Sequence, residues 1–264
     1  MTLEDRLMDD VRNGRQVDVE RAALIVGECN RKKKVSEYKR KIDLLEKRLD
    51  SYASEGSARG IITDIHNLFW QGKDPYIKTR KFELSDALDA KLADIPVGNC
   101  AILSTLYASL ALRKGLEVQA LIMPGHMALR VIDRGRRIDV ETTNRYGVGW
   151  NEYSGIEGLP PVAIVACLLN NRGVAKYDRG NSKAAIEDYD KALEIHPRYA
   201  DTLNNRGTAK FKLGNLEGAI EDYNRTLEMN PRLAGALNSR GIAKYDRGNP
   251  KGAIEDYTKA LEIN

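Results

Sequence analysis

The sequence predicts two regions of different fold class, an α+β N-terminal region and an all-α C-terminal solenoid. Apolar residues first follow helical spacing and then, after Gly115, alternate as in strands. Residues 166–264 instead repeat a 34-residue pattern. These observations divide the chain into a helical segment (1–60), a core (61–149), a linker (150–165) and three repeats (166–199, 200–233 and 234–264).

Composition excludes several classes of protein. The chain has 42 basic and 38 acidic residues, so we expect no nucleic-acid partner. No apolar run reaches the roughly 20 residues of a membrane helix, and the N-terminus lacks the apolar stretch of a secretory signal. Three scattered cysteines, Cys29, Cys100 and Cys167, indicate a cytoplasmic protein without a disulfide framework. No residue spacing indicates a metal or a cofactor, and the oligomeric state is left open.

The N-terminal region reads as helices followed by a small antiparallel sheet. Helical spacing covers 35–52 and 61–69, and an apolar helix runs over 99–114. Strands are predicted at 118–123, from 127 to 131, and on a return segment through Ile138 and Val140. Residues 144–165 are rich in glycine and proline, which is typical of a linker.

Cys100 and His126 are the candidate nucleophile and base. Asn99 is a good N-cap, which places Cys100 in the first turn of a helix, where the helix dipole favours a thiolate. His126 opens a strand after the Pro124–Gly125 turn.

Two carboxylates on the return strand could orient His126. A turn on Arg134–Gly135 pairs residues whose numbers sum to about 269, so Asp139 faces Arg130 and Glu141 lies diagonal to His126. This geometry favours Glu141 as the orienting group and Asp139 as the ion-pair partner of Arg130. A bulge would reverse the choice between the two acids.

The order of cysteine, histidine and acid resembles the transglutaminase-like family, which shares the papain-like fold. The resemblance covers about residues 61–149 and rests on the helix that begins at Gly98-Asn99-Cys100, on His126, and on residues 140–143, where Glu replaces the family's usual Asp. It implies that Cys100 is the nucleophile, His126 the general base and Glu141 the orienting acid. Ala128 stands where the family usually has Trp.

The repeats resemble the tetratricopeptide repeat. Glycine, alanine and tyrosine recur at fixed offsets, and a Gly-Asn pair divides each unit into two helices. The recurring positions are Gly173, Gly207 and Gly241; Ala185, Ala219 and Ala253; and Tyr189, Tyr223 and Tyr257. No polar capping helix follows the third unit. Because solenoids usually need such a cap, we expect either a longer array or a partner at this end.

A recurring polar and aromatic set marks a candidate peptide-binding groove. Its members are Asn170, Asn204 and Asn238, with Tyr177, Phe211 and Tyr245. Asparagine can both donate to and accept from a peptide backbone, and aromatic rings add apolar contact. The alternative is that these residues satisfy contacts between repeats.

Two functions are therefore expected. The first is a cysteine-dependent amide hydrolase or transamidase whose repeats dock a peptide or protein. The second is a catalytically inactive transglutaminase-like scaffold whose repeats mediate protein–protein interaction.

Overall fold

The chain forms two compact units, Met1–Leu168 and Leu169–Asn264, in a computed structural model. The structure describes residues 2–26, 32–51, 57–70, 100–143, 148–150 and 153–263. Within these ranges, no helix is long and apolar enough to cross a bilayer.

Five helices of the N-terminal unit precede its sheet in the described ranges: α1 (Leu3–Arg12), α2 (Val19–Val26), α3 (Lys32–Leu49), α4 (Ala58–Trp70) and α5 (Cys100–Arg113). Helix α5 is buried on almost every side, as its continuous apolar sequence predicts. Two of its buried hydroxyls are satisfied within the helix, where Thr105 donates to the carbonyl of Ala101 and Ser109 to that of Thr105.

One arginine ties α5 to two earlier helices. Arg113 donates twice to Glu20 on α2, at 2.8 and 2.9 Å, and also to Asp43 and Glu46 on α3. Periodicity alone could not predict these ion pairs, because they join residues far apart in the sequence.

The sheet has four antiparallel strands in the order β1 (Glu117–Met123), β2 (His126–Asp133), β3 (Arg136–Val140) and β4 (Val148–Trp150). The register predicted from the second hairpin is confirmed: Arg130 pairs with Asp139, and Asp133 with Arg136. Arg134 and Gly135 form the turn with φ values of 50° and 80°. Both central residues of a type I′ turn need positive φ, so this turn fixes the strand pairing.

The prediction of a linker at 150–165 needs correction. Strand β4 ends at its first residue, Trp150, and Leu159 exchanges two backbone hydrogen bonds with Ala120 on β1. The carbonyls of Tyr153 and Ile156 accept hydrogen bonds from the buried Arg130. This segment therefore belongs to the N-terminal unit. Its carbonyl groups satisfy the buried guanidinium of Arg130, which would otherwise lack these acceptors.

The repeats are three helix pairs: α6 (Ala163–Asp178) with α7 (Ser182–Ile195), α8 (Ala200–Lys212) with α9 (Leu216–Met229), and α10 (Ala234–Asp246) with α11 (Pro250–Leu261). The Gly-Asn pairs act as predicted. Gly180, Gly214 and Gly248 all have φ between 80° and 85°, and the asparagine that follows each one caps the next helix.

Each pair is closed by the same two contacts. The helical glycine faces a tyrosine ring, which is buried in the first two pairs, and a Cβ at Gly207 would lie 2.8 Å from the Tyr223 ring. A buried aspartate also accepts from an arginine and a lysine of the preceding helix, as Asp222 does from Arg206 and Lys210. The equivalent groups are Asp188 with Arg172 and Lys176, and Asp256 with Arg240 and Lys244.

Candidate active site

Cys100 and His126 come together although 26 positions separate them. Cys100 is the first residue of α5 and is partly exposed, and His126 is the first residue of β2. The side chain of Cys100 interacts with the imidazole of His126 and raises its pKa. Gly98 and Asn99, the predicted cap, lie outside the described residues, as does Cys29, while Cys167 is buried.

Glu141 follows β3 and holds the far side of the imidazole. The Nε2 atom of His126 lies 2.6 Å from Oε2 of Glu141. Hydrogen bonds from His126 and Thr143 lower the pKa of Glu141 to about 2 against the opposing effect of burial, so the group is a carboxylate and can only accept. His126 therefore donates through Nε2, which leaves Nδ1 for the Cys100 sulfur.

The two partners of His126 make it a cation at neutral pH. The hydrogen bond to Cys100 raises the pKa of His126 most, the bond to Glu141 adds to it, and burial opposes both, giving a pKa of about 10. The arrangement has the parts that nucleophilic thiol chemistry needs.

Asp139, the second acid considered from the sequence, has another partner. Its Oδ1 and Oδ2 atoms accept from Arg130 at 2.6 and 3.0 Å, and both side chains are buried. Asp139 is therefore the ion-pair partner of Arg130, and the carboxylate on His126 is that of Glu141.

Two further contacts at the site could not be read from the sequence. The hydroxyl of Tyr153 donates to Oε2 of Glu141 at 2.8 Å, from the segment predicted to be a linker. The hydroxyls of Ser104 and Thr142 lie 2.9 Å apart and join α5 to the residue after Glu141. In the described part of the chain, no cluster of three or more His, Cys, Asp or Glu residues could hold a metal ion.

The asparagines proposed for the groove have three different environments. Asn170 is buried and its Oδ1 accepts from Thr202 and Asn205 of the second repeat, both at 3.1 Å. The Oδ1 of Asn204 is buried without a hydrogen-bond partner, whereas Asn238 is exposed. Asn170 thus serves the contact between repeats, which was the alternative interpretation.

The aromatic members also differ. Tyr177 packs on a core formed by Ala185, Tyr189 and Ala209, and Phe211 packs on the equivalent core of the next repeat pair. Tyr245 is 62 % exposed. The first two rings therefore contribute to packing between repeats, and Tyr245 is the ring available at the surface.

The C-terminal region also matches known proteins. Two family models, both described as tetratricopeptide repeat, match residues 164–232 and 204–264. Residues 164–264 are tetratricopeptide repeats. Solenoids of this kind present extended binding surfaces, so the region supports a role in protein–protein interaction. No curated protein matches the chain.

Solved structures are similar over the same region. The first tetratricopeptide domain of Spaghetti (RPAP3), bound to the HSP90 peptide SRMEEVD, is 27 % identical, with 38 % of this chain and 79 % of that chain covered and a TM-score of 0.37. The Sgt2 tetratricopeptide domain from Aspergillus fumigatus is 33 % identical over 37 % of this chain and 65 % of that chain, with a TM-score of 0.36. MamA is 26 % identical over 39 % and 63 %, with a TM-score of 0.36. The matches span less than two thirds of the Sgt2 and MamA chains.

Proposed function

We propose that the N-terminal unit is a transglutaminase-like thiol enzyme that acts on amide bonds of a peptide or protein. The observation that carries this proposal is the imidazole of His126, which is hydrogen-bonded to Glu141 and interacts with the side chain of Cys100. This is the geometry of an activated nucleophile with an oriented base.

The reaction proceeds by acyl transfer. The thiolate of Cys100 attacks the carbonyl carbon, and His126 gives its proton to the departing amine as the C–N bond breaks. The product is a thioester on Cys100. Water or a second amine then attacks the thioester and loses a proton to His126, and the thiolate leaves, so that the outcome is hydrolysis or amide exchange. Glu141 holds the imidazole in place throughout.

The experiment traps the acyl-enzyme. The intact chain is treated with p-nitrophenyl acetate, and mass spectrometry measures acetyl transfer to each cysteine, with Cys100→Ser and His126→Ala as comparisons. We expect acetylation at Cys100 that hydroxylamine reverses and that His126→Ala slows. Because Cys167 is buried, faster labelling of Cys100 than of Cys167 would follow from exposure alone. Labelling of Cys100 that is unaffected by His126→Ala contradicts the proposal.

The second candidate is an interaction protein whose N-terminal unit is catalytically inactive and whose tetratricopeptide repeats carry the function. On either proposal the repeats bind a peptide or protein through the groove. Asn238 and Tyr245 are the exposed members of the sequence-predicted set and are proposed to make that contact. A photo-crosslinking residue at position 245 should capture the partner, and one at the half-buried position 211 should not. The scaffold function is supported if Cys100→Ser leaves partner capture and cellular phenotype unchanged and if the wild-type protein forms no acyl-enzyme.

A further inference from the structure

The carboxylate of Glu141 has four donors, and three of them lie close in sequence or belong to the proposed triad. Thr143, two residues away, donates its backbone N–H at 2.9 Å and its hydroxyl at 2.5 Å, both to Oε1. The other oxygen, Oε2, accepts from Nε2 of His126 at 2.6 Å and from the Tyr153 hydroxyl at 2.8 Å. Tyr153 is thus the one donor, among the contacts described, that reaches the His126-facing oxygen from a separate segment.

The backbone of Tyr153 is held by the buried ion pair of the sheet. Its N–H donates to Oδ2 of Asp139 at 2.7 Å, and its carbonyl accepts from Nη2 of Arg130 at 2.7 Å. Arg130 also donates to the carbonyl of Ile156 at 3.0 Å, and the N–H of Ile156 donates back to Tyr153. Arg130 and Asp139 are opposite residues of β2 and β3, so the sheet fixes the backbone position from which the Tyr153 side chain extends.

The same strands carry the other two groups. His126 begins β2, four residues before Arg130, and Glu141 lies two residues after Asp139. A shift of the Tyr153 backbone would therefore move the hydroxyl that donates to Glu141. A carboxylate with donors on both oxygens has little rotational freedom, and such hydrogen bonds hold the side chain that it contacts in a productive geometry.

We propose that Tyr153 is a positioning residue of the Cys100 site, which fixes the Glu141 oxygen that orients His126, and that the Arg130–Asp139 pair anchors it for this purpose. The inference rests on the proposed thiol chemistry of Cys100 and adds to it a residue that acts through Glu141 rather than on substrate. It also assigns a purpose to the contacts between residues 153–156 and the sheet.

The test is Tyr153→Phe in the full chain. This change removes one oxygen and leaves the backbone bonds of residue 153 in place, so the unit should fold, and tryptophan fluorescence checks that it does. The readout is the second-order rate of Cys100 alkylation by iodoacetamide, followed by mass spectrometry from pH 4 to pH 10. We expect the rate at neutral pH to fall about three- to tenfold, the equivalent of one hydrogen bond, and the pH profile to differ from that of the wild type.

Tyr107→Phe is the matched control. Tyr107 lies on α5, the helix that begins at Cys100. Its hydroxyl donates to the carbonyl of Ile62 at 2.5 Å, and its described contacts do not involve Glu141. This variant should lower stability and leave the rate and its pH profile as in the wild type. An unchanged profile in Tyr153→Phe overturns the inference, and so does an equal change in Tyr107→Phe. If His126→Ala alkylates as fast as the wild type, the proposed function itself fails, which separates the two outcomes.

Discussion

Replacing Asp139 by Asn should lower the unfolding free energy of the N-terminal unit much more than an equivalent change on the surface does. Asp139 is fully buried and both its oxygens accept from Arg130, whose side chain is also buried. Oδ2 accepts in addition from the backbone of Tyr153. An asparagine amide would direct an N–H toward one of these donors and leave the guanidinium without its counter-charge. Breaking a buried ion pair in this way costs about 3–5 kcal/mol.

Asp18→Asn is the matched control for this change. Asp18 forms an ion pair with Lys39 at 2.7 Å, but both side chains are more than a third exposed. Asparagine can still accept from the backbone of Arg21, as Asp18 does at the start of α2. The expected loss is below about 1 kcal/mol, since exposed ion pairs contribute little.

Tryptophan fluorescence reports on one unit, and circular dichroism reports on the helices of both. Both tryptophans, Trp70 and Trp150, lie in Met1–Leu168, so tryptophan fluorescence during urea unfolding reports on that unit alone. Circular dichroism at 222 nm follows helix content, to which the repeats contribute strongly. Asp139→Asn should lower the urea midpoint of the fluorescence transition and leave the repeat transition in place. A midpoint no lower than that of Asp18→Asn refutes the reasoning about the buried pair.

Two other predictions follow. Gly207→Ala should destabilise the repeats by about 1–2 kcal/mol, because the new Cβ would meet the buried Tyr223 ring at 2.8 Å. Gly235→Ala should stabilise them by about 0.5–1 kcal/mol, because its Cβ would have nothing within 4 Å. Urea unfolding followed by circular dichroism measures both changes. Glu141→Gln should destabilise the N-terminal unit most between about pH 4.5 and pH 6.5. The raised pKa of His126 contributes stability that is lost as the pH rises from 6.5 to about 10, and the lowered pKa of Glu141 contributes stability that is lost as the pH falls from 4.5 to about 2. Fluorescence-detected unfolding at pH 5.5 and pH 9.5 measures the difference, and an equal loss at both values contradicts it.

The strand register could be predicted because local chemistry determines it. Arg134–Gly135 is a turn that pairs fixed positions, and this pairing places Asp139 opposite Arg130. The repeats were equally predictable, since glycine and tyrosine must recur together where each glycine faces a ring.

Tyr153 could not be predicted, because the glycine and proline content of its segment is also that of a linker. The signal that could have found it is indirect. Arg130 has five N–H donors, and Asp139 alone cannot satisfy them in a buried sheet, so carbonyl groups from another segment were required. Sequence alone does not say which segment supplies them.

The three recurring asparagines have different environments for a related reason. Identical residues at equivalent positions have different neighbours: Thr202 donates to Asn170, whereas Ala236, one repeat later, has no hydroxyl to offer Asn204. Recurrence therefore predicted the fold of each repeat correctly and its surface chemistry only in part.

The ionisation of the His126 imidazole tests the central claim most directly. The NMR signals of the three histidines are followed from pH 4 to pH 11, with His126 assigned from its loss in His126→Ala. The Cys100 and Glu141 contacts predict a His126 midpoint near 10 in the wild type and a lower one in Cys100→Ser. A midpoint near 6.5 that Cys100→Ser does not move would contradict the paired imidazolium and thiol.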